Sequence, residues 1–252
     1  MKLSIVMPVY NDIRVARALG SVLSQRHDGQ LELVLIDGGS TDDTLDVLAG
    51  YRDRISILVS ERDQGIYDAM SKGIARATGD VVGILNADDR YQDETVLQKV
   101  LNAFHDPQTE ATYGDCVYVD GNDRVARYWR SGRYRPYKFY LGWMPPHPTF
   151  FVRRSLYQQY GVFNQQYHIA ADYELMLRLA LKHKVRLRYI DNVLVRMSLG
   201  GASNRSLKNI ARANREVLQA WRSNGLACGY LVPLFKLAQK PIQYLRRPPS
   251  LP

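Results

Sequence analysis

The sequence predicts an α/β fold: a doubly wound, mostly parallel sheet, then a smaller antiparallel part and C-terminal helices. Three observations predict it. Short apolar runs at Leu3–Val9, Leu31–Ile36, Ile55–Val59 and Val81–Leu85 alternate with segments of helical spacing. The runs are nearly continuous rather than alternating, as in strands covered on both faces. Polar turns containing Gly or Asp follow them, at the carboxyl edge where such sheets bind ligands.

The elements follow in order. Leu3–Val9 is a strand with Pro8 at its end, where proline is tolerated. Tyr10-Asn11-Asp12 turns the chain, and Ala16, Leu19, Val22 and Leu23 recur at helical spacing. The second strand runs into Asp37-Gly38-Gly39-Ser40-Thr41-Asp42-Asp43. There Ser40 and Asp43 make a capping-box pattern, and Leu45 and Leu48 mark the inner face of the next helix. After the third strand, Gly65 permits a tight turn before a helix from about Tyr67. The fourth strand ends in Asn86-Ala87-Asp88-Asp89.

The alternation stops after about residue 105. Tyr113–Val119 and Val125–Trp129 predict an antiparallel pair around Asp120-Gly121-Asn122-Asp123. Arg124–Lys138 is a basic, aromatic-rich stretch. Thr149–Val152 and Val185–Ile190 predict strands; Tyr173, Met176, Leu179 and Ala180, and then Ile210, Ala213, Val217 and Trp221, predict helices. Residues 206–252 form a C-terminal helical segment with a basic amphipathic tail.

With 252 residues and 46% hydrophobic content, the chain can bury a sizeable core. The two cysteines, Cys116 and Cys228, stand in no metal-ligand spacing, which predicts a reducing compartment without a disulfide framework or zinc site. The apolar start is too short for a signal peptide, and no stretch reaches the ~18 apolar residues of a membrane span. These features predict a cytoplasmic protein. The net charge of +9 is concentrated at the end: five basic residues and no acid follow Glu216. A basic tail implies an anionic partner, a membrane surface or a nucleic acid.

No GxGxxG follows the first strand, and no P-loop occurs. Asp88 and Asp89 close a buried strand as two adjacent carboxylates, whose repulsion a divalent cation relieves. Such a hard oxygen site suits Mg²⁺ or Mn²⁺ together with substrate phosphates. Acids opening a helix are the alternative reading. Asp37, beside two glycines, can accept a hydrogen bond from a base N–H or be a solvated turn acid. Asp63 and Asp68 converge on the same edge, where Asp68 can equally be a helix-start acid.

Together Leu3–Asn11, Leu35–Asp42, Asp63–Met70 and Asn86–Asp89 resemble, in order and spacing, the family 2 glycosyltransferases of GT-A fold, from residue 3 to about 205. The resemblance implies a GT-A-like catalytic domain over 1–205, with a nucleotide-sugar half at 1–105 and an acceptor half at 106–205. It implies a nucleotide-sugar donor, with a UDP-sugar favoured, a divalent metal (Mg²⁺ or Mn²⁺), and inversion at the anomeric carbon. Carried over, Pro8 and Tyr10 line the base pocket, Asp37 holds the base, and Gly65 and Asp68 lie near the ribose or donor sugar. Asn86, Ala87 and Asp88 match the family's Asp-x-Asp element; Asp88 ligates the metal, helped by Asp89. Asn86 replaces the first acid, so it is a weaker ligand or bonds the ribose or a water. Asp172 matches the family's general base, with Ala171 in place of the usual first acid; it also suits a helix N-cap. Arg196–Ser203 resembles the loop that closes over the donor, without its histidine ligand, leaving Arg196 or Arg205 to reach the diphosphate. His147 contacts acceptor or phosphates, or is a packed structural histidine.

The expected activity is a cytosol-facing, inverting glycosyltransferase acting on a polysaccharide or lipid-linked glycan. A metal-dependent nucleotidyltransferase and a non-catalytic sugar- or nucleic-acid-binding module are the alternatives. The stretch Arg124–Lys138 reads as an acceptor platform, a single-strand nucleic-acid surface or a solvated strand face; the sheet-edge acids argue against nucleic acid. The tail reads as lying on the anionic inner face of the membrane, or as docked on the domain or a second subunit.

Overall fold

The computed structural model describes residues 1–199, 207–227, 231–235, 243–244 and 248. Gly200–Ser203, Arg205, Cys228 and most of the basic tail lie outside the described residues. The first half runs β1 (Lys2–Val9), α1 (Val15–Leu23), β2 (Gln30–Asp37), α2 (Thr44–Ala49), β3 (Ile57–Ser60), α3 (Ile66–Arg76), β4 (Val81–Ile84), β5 (Arg90–Tyr91) and α4 (Val96–Phe104). The second runs β6 (Ala111–Val119), β7 (Val125–Trp129), α5 (Tyr137–Tyr140), β8 (Phe151–Arg153), α6 (Arg154–Tyr160), α7 (Ala171–Leu177), β9 (Leu187–Ser198) and α8 (Leu207–Ser223).

The strands form one sheet in the order β3-β2-β1-β4-β8-β6-β9-β5, with β7 folded back on β6. The first four are parallel; β8 runs antiparallel to both β4 and β6. β9 is parallel to β6, and its end pairs with β5.

Two-sided burial explains the continuous apolar runs. Leu3, Ile5 and Met7 of β1 share one core with Leu19 of α1 and Val100 of α4. Val6 of β1, Val34 of β2 and Ile84 of β4 face the opposite core, with Met70 of α3, Met176 of α7 and Trp221 of α8. Each fully buried Leu, Ile or Val contributes about 1.5–3 kcal/mol. Gly83 is fixed by packing, since a Cβ there would overlap the Phe151 ring of β8. Pro8 lies beyond the β1–β4 ladder, which ends at the Val6–Ile84 pair.

Four local expectations need correction. β9 extends through Ser198 instead of ending near residue 190, so Arg196–Ser198 of the expected closing loop is strand. Asp191 and Asn192 interrupt the apolar run, but the ladder to β6 carries the strand past them. The Ser40–Asp43 capping box does not form: the Ser40 hydroxyl donates to Asp37, and Asp43 makes no side-chain cap bond to α2. Leu45 is exposed, leaving Thr44 and Leu48 as the buried residues of α2. Asp172 is not an N-cap; that position belongs to Ala170. Among the described residues no helix is long and apolar enough to cross a membrane.

Candidate active site

The loops after β1 and β2 are bonded to each other at the carboxyl edge of the sheet. Asn11, at φ 46°, takes the left-handed backbone that Asn tolerates. Its N–H donates to Ser40 Oγ at 2.8 Å, and its Oδ1 accepts from Thr41 N at 2.8 Å. Tyr10 beside it is 60% exposed at this edge. Pro8, one pleat back in the strand, is buried.

Asp37 has 0% exposure. Its oxygens accept from Gly39 N (3.2 Å), Ser40 N (3.1 and 3.2 Å), Ser40 Oγ (2.5 Å) and Ser60 Oγ (2.6 Å). A carboxylate has about four acceptor sites, so this one is filled by its own neighbours. Asp37 therefore fixes the shape of the loop from inside, instead of presenting an acceptor to a base.

Asn86–Asp89 is gripped from the far side. Ser198 Oγ, at the end of β9, donates to Asp88 O at 2.6 Å, and Ser198 N donates to Asp89 Oδ1 at 3.2 Å. Asn86 Nδ2 donates to Asp89 Oδ2 at 3.2 Å. Asp89, expected as a helper metal ligand, is thus turned inward and only 3% exposed. Burial first, then the Asp88 charge, push its carboxyl well above the usual range. A group so placed holds the turn together, its oxygens already accepting from Ser198 N and Asn86 Nδ2. Asp88 stays about a third exposed, with Arg14 Nη2 at 3.7 Å. Arg14 is itself anchored by Asp12, at 2.6 Å.

Among the described residues no three His, Cys, Asp or Glu groups form a metal cage. The oxygen set still suits a magnesium-like ion completed by phosphates, because Asp88 is accessible and Asn86 Oδ1 is buried with no hydrogen-bond partner among the described residues. Such an orphaned oxygen is what a bound cation or a donor hydroxyl would satisfy.

The loop before α3 completes the edge. Gly65, at φ 114°, takes a backbone that side chains resist. Asp68 Oδ2 accepts from Gln64 N at 3.0 Å and meets Lys72 at 3.2 Å, so part of its work is to hold this loop. Tyr67 joins the two halves: its hydroxyl donates to Ile169 O at 2.9 Å and lies 3.4 Å from Asp172 Oδ1. Burial, then the Asp172 charge, push the Tyr67 hydroxyl well up, so it stays a donor. Asp172, in the first turn of α7, also accepts from Tyr173 N at 2.7 Å. Burial, more than the Asp89 and Asp172 charges that also act on it, pushes the Tyr118 hydroxyl up. His147 packs edge-on against Phe163 at 5.7 Å. Burial holds its pKa below the usual value, against the pull of Asp172.

Two supporting residues escape the sequence reading. Glu216 of α8 accepts from His168 N (3.1 and 3.2 Å), Ile169 N (2.8 Å) and Ala170 N (2.9 Å), and so anchors the entry to α7. It is the last acid of the chain, which is its one sequence signal. Ser198 had none, since it fell within an expected loop. Arg196 is held by Gln92 at 2.9 Å and Asp123 at 3.5 Å. Arg127 of the basic stretch lies over Tyr118 at 4.5 Å and donates to Gln243 at 2.6 Å, so part of the tail docks on the domain.

Residues 4–170 match the profile of Glycosyl transferase family 2. A PGL/p-HBAD biosynthesis glycosyltransferase of Mycobacterium bovis is 32% identical over 208 residues, covering 80% of this chain and 78% of the relative. A glycosyltransferase of Mycobacterium tuberculosis is 34% identical over 185 residues, covering 71% and 68%. The fold resembles that of S. aureus TarS 1–349 in complex with UDP-GlcNAc (TM-score 0.71, 17% identity, 95% of this chain and 74% of that one). It also resembles the mannosyltransferase PcManGT from Pyrobaculum calidifontis in complex with GDP-Man and Mn²⁺ (TM-score 0.66, 20% identity, 96% and 70%).

Proposed function

The chain belongs to glycosyl transferase family 2, and on that premise we propose that it moves a sugar from a nucleotide-sugar donor to an acceptor hydroxyl in one inverting displacement. The observation that carries this reading is the Tyr67 bridge, which sets the Asp172 carboxylate against the donor-side loop.

In this reading the nucleobase lies on the exposed face of Tyr10, above Pro8, and the diphosphate extends toward Asn86-Ala87-Asp88. Asp88 and Asn86 Oδ1 would hold a divalent cation, Mg²⁺ or Mn²⁺, which when bound neutralises charge on the leaving diphosphate. Gly65 lets the backbone pass close to the ribose, while Asp68 keeps that loop in place. Asp172 accepts the proton of the acceptor hydroxyl as its oxygen bonds to the anomeric carbon. The bond from that carbon to the diphosphate breaks on the opposite face, and the electron pair leaves with the nucleoside diphosphate. Tyr67 keeps one Asp172 oxygen oriented during this transfer.

The acceptor reading rests on charge. In residues 124–138 Arg124, Arg130, Arg133 and Arg135 are exposed, and the stretch holds no Asp or Glu. Such a surface suits a lipid-linked or polymeric glycan carrying phosphate, at the inner face of an anionic membrane.

The test is binding and slow hydrolysis of UDP-, GDP- and dTDP-sugars by the full chain, with and without Mn²⁺. Saturable, Mn²⁺-assisted binding of at least one is expected. No binding and no turnover of any would overturn the proposal.

A further inference from the structure

We propose that Asp63, rather than Asp37, reads the nucleobase, and that Gly38 lacks a side chain so that the Asp63 carboxylate can stand in its place. This rests on the donor reading above and deepens it. Asp37 is fully buried, and its acceptor sites are filled by Gly39, Ser40 and Ser60. An acceptor for the base must therefore come from elsewhere on the same edge.

Gly38 shows where. Its φ is not left-handed, unlike that of Gly39 at 82°, so the backbone has no conformational need for glycine there. The need is space: a Cβ on Gly38 would overlap Asp63 Oδ2 and stand 3.0 Å from Asp63 Cγ. A carboxylate from the loop after β3 thus fills the volume that a side chain on the loop after β2 would take. Its orientation is set, because Oδ1 accepts from Gly65 N at 2.8 Å. Oδ2 accepts no hydrogen bond among the described residues. Strand order then places the parts in line along the edge: Tyr10 after β1, Gly38 after β2, Asp63 after β3. A base stacked on Tyr10 turns its edge toward Asp63.

A carboxylate only accepts hydrogen bonds. It favours bases with a ring N–H, which are uracil and thymine at N3 and guanine at N1. It repels cytosine N3 and adenine N1, which present lone pairs. The donor class favoured is therefore a uridine, thymidine or guanosine diphosphate sugar, with cytidine and adenosine donors weakened wherever their ring nitrogen meets this carboxylate.

The experiment is calorimetric titration of the full chain with UDP and CDP in Mn²⁺. The wild type is expected to prefer UDP. In Asp63→Asn, whose amide can donate to cytosine N3, UDP affinity should fall about 10- to 100-fold while CDP affinity holds or rises. In the double variant Gly38→Asp/Asp63→Ala, a carboxylate returns to the same space from the other loop, and the UDP preference should recover relative to Asp63→Ala. A merely structural role for Asp63 would weaken both nucleotides equally. That result, or an unchanged UDP/CDP ratio in Asp63→Asn, overturns this assignment while leaving the donor site standing. A wild type that binds no nucleotide overturns the donor reading and this proposal with it.

Discussion

Replacing Glu216 with alanine removes an acceptor shared by three backbone N–H groups at the entry to α7. The carboxylate is only 7% exposed, so water replaces it poorly. A hydrogen bond to a charged group contributes roughly 1.5–3 kcal/mol net. Three donors sharing two oxygens do not add fully, and the half-exposed Arg212 pair adds little, which gives a loss of about 3–4 kcal/mol. In a chain this long, that corresponds to a Tm lower by roughly 10 °C. The site should suffer too, because the freed segment carries Asp172: kcat should fall while donor affinity changes little. The pH dependence has a definite sign. Burial opposes the charge, but the bonds from Ile169, Ala170, His168 and Arg212 outweigh it and hold the Glu216 carboxyl below its ordinary value of 4.5. Its stabilisation is therefore complete above about pH 4.5 and lost as pH falls below that. Urea unfolding of wild type and Glu216→Ala at pH 7 and pH 4 measures both effects. A loss under 1 kcal/mol at pH 7, or an unchanged kcat, would refute the reasoning.

Two other outcomes follow from the same geometry. Glu32 is held by Lys2 Nζ (2.6 Å), Ser4 Oγ (2.5 Å), Thr78 N (2.8 Å) and Thr78 Oγ1 (2.6 Å). Burial pushes its carboxyl up, but these donors outweigh it and bring the pKa from 4.5 down to about 2. The folded pKa is lowered, so roughly 2–3 kcal/mol of stability should disappear as pH falls from 4.5 to about 2; an acid-unfolding curve equally steep in Glu32→Gln would contradict this. Asp172→Asn should keep donor affinity and lose about 10²- to 10⁴-fold in kcat, and transfer at the wild-type rate would remove Asp172 from the base role.

The parallel half of the fold is legible because its runs obey one simple rule. Leu3, Ile5 and Met7 face one core and Val6 the other, so burial on both faces writes itself as an unbroken apolar run. The turns were legible as positions, since Asp37, Asp63, Asp68 and Asp88 do close that edge. Their division of labour was not. Asp37 and Asp89 look like ligand-facing acids in sequence, yet beside local donors each also accepts from a distant one, Ser60 and Ser198, 23 and 109 positions away. β9 hid for a similar reason: a strand whose partner is β6 needs no apolar run of its own. Gly38 reads as one of two glycines beside Asp37 until the Asp63 carboxylate is seen in the space a side chain there would take.

In the proposed reaction Asp88 meets the leaving diphosphate and Asp172 the attacking hydroxyl. Real-time ¹H NMR of donor hydrolysis tests it most directly, by reading the anomeric configuration of the first sugar released. An α-linked nucleotide sugar should yield the β anomer first with the wild type, and no enzymatic release with Asp172→Asn or Asp88→Ala. Release of the α anomer, or undiminished release by either variant, would contradict it.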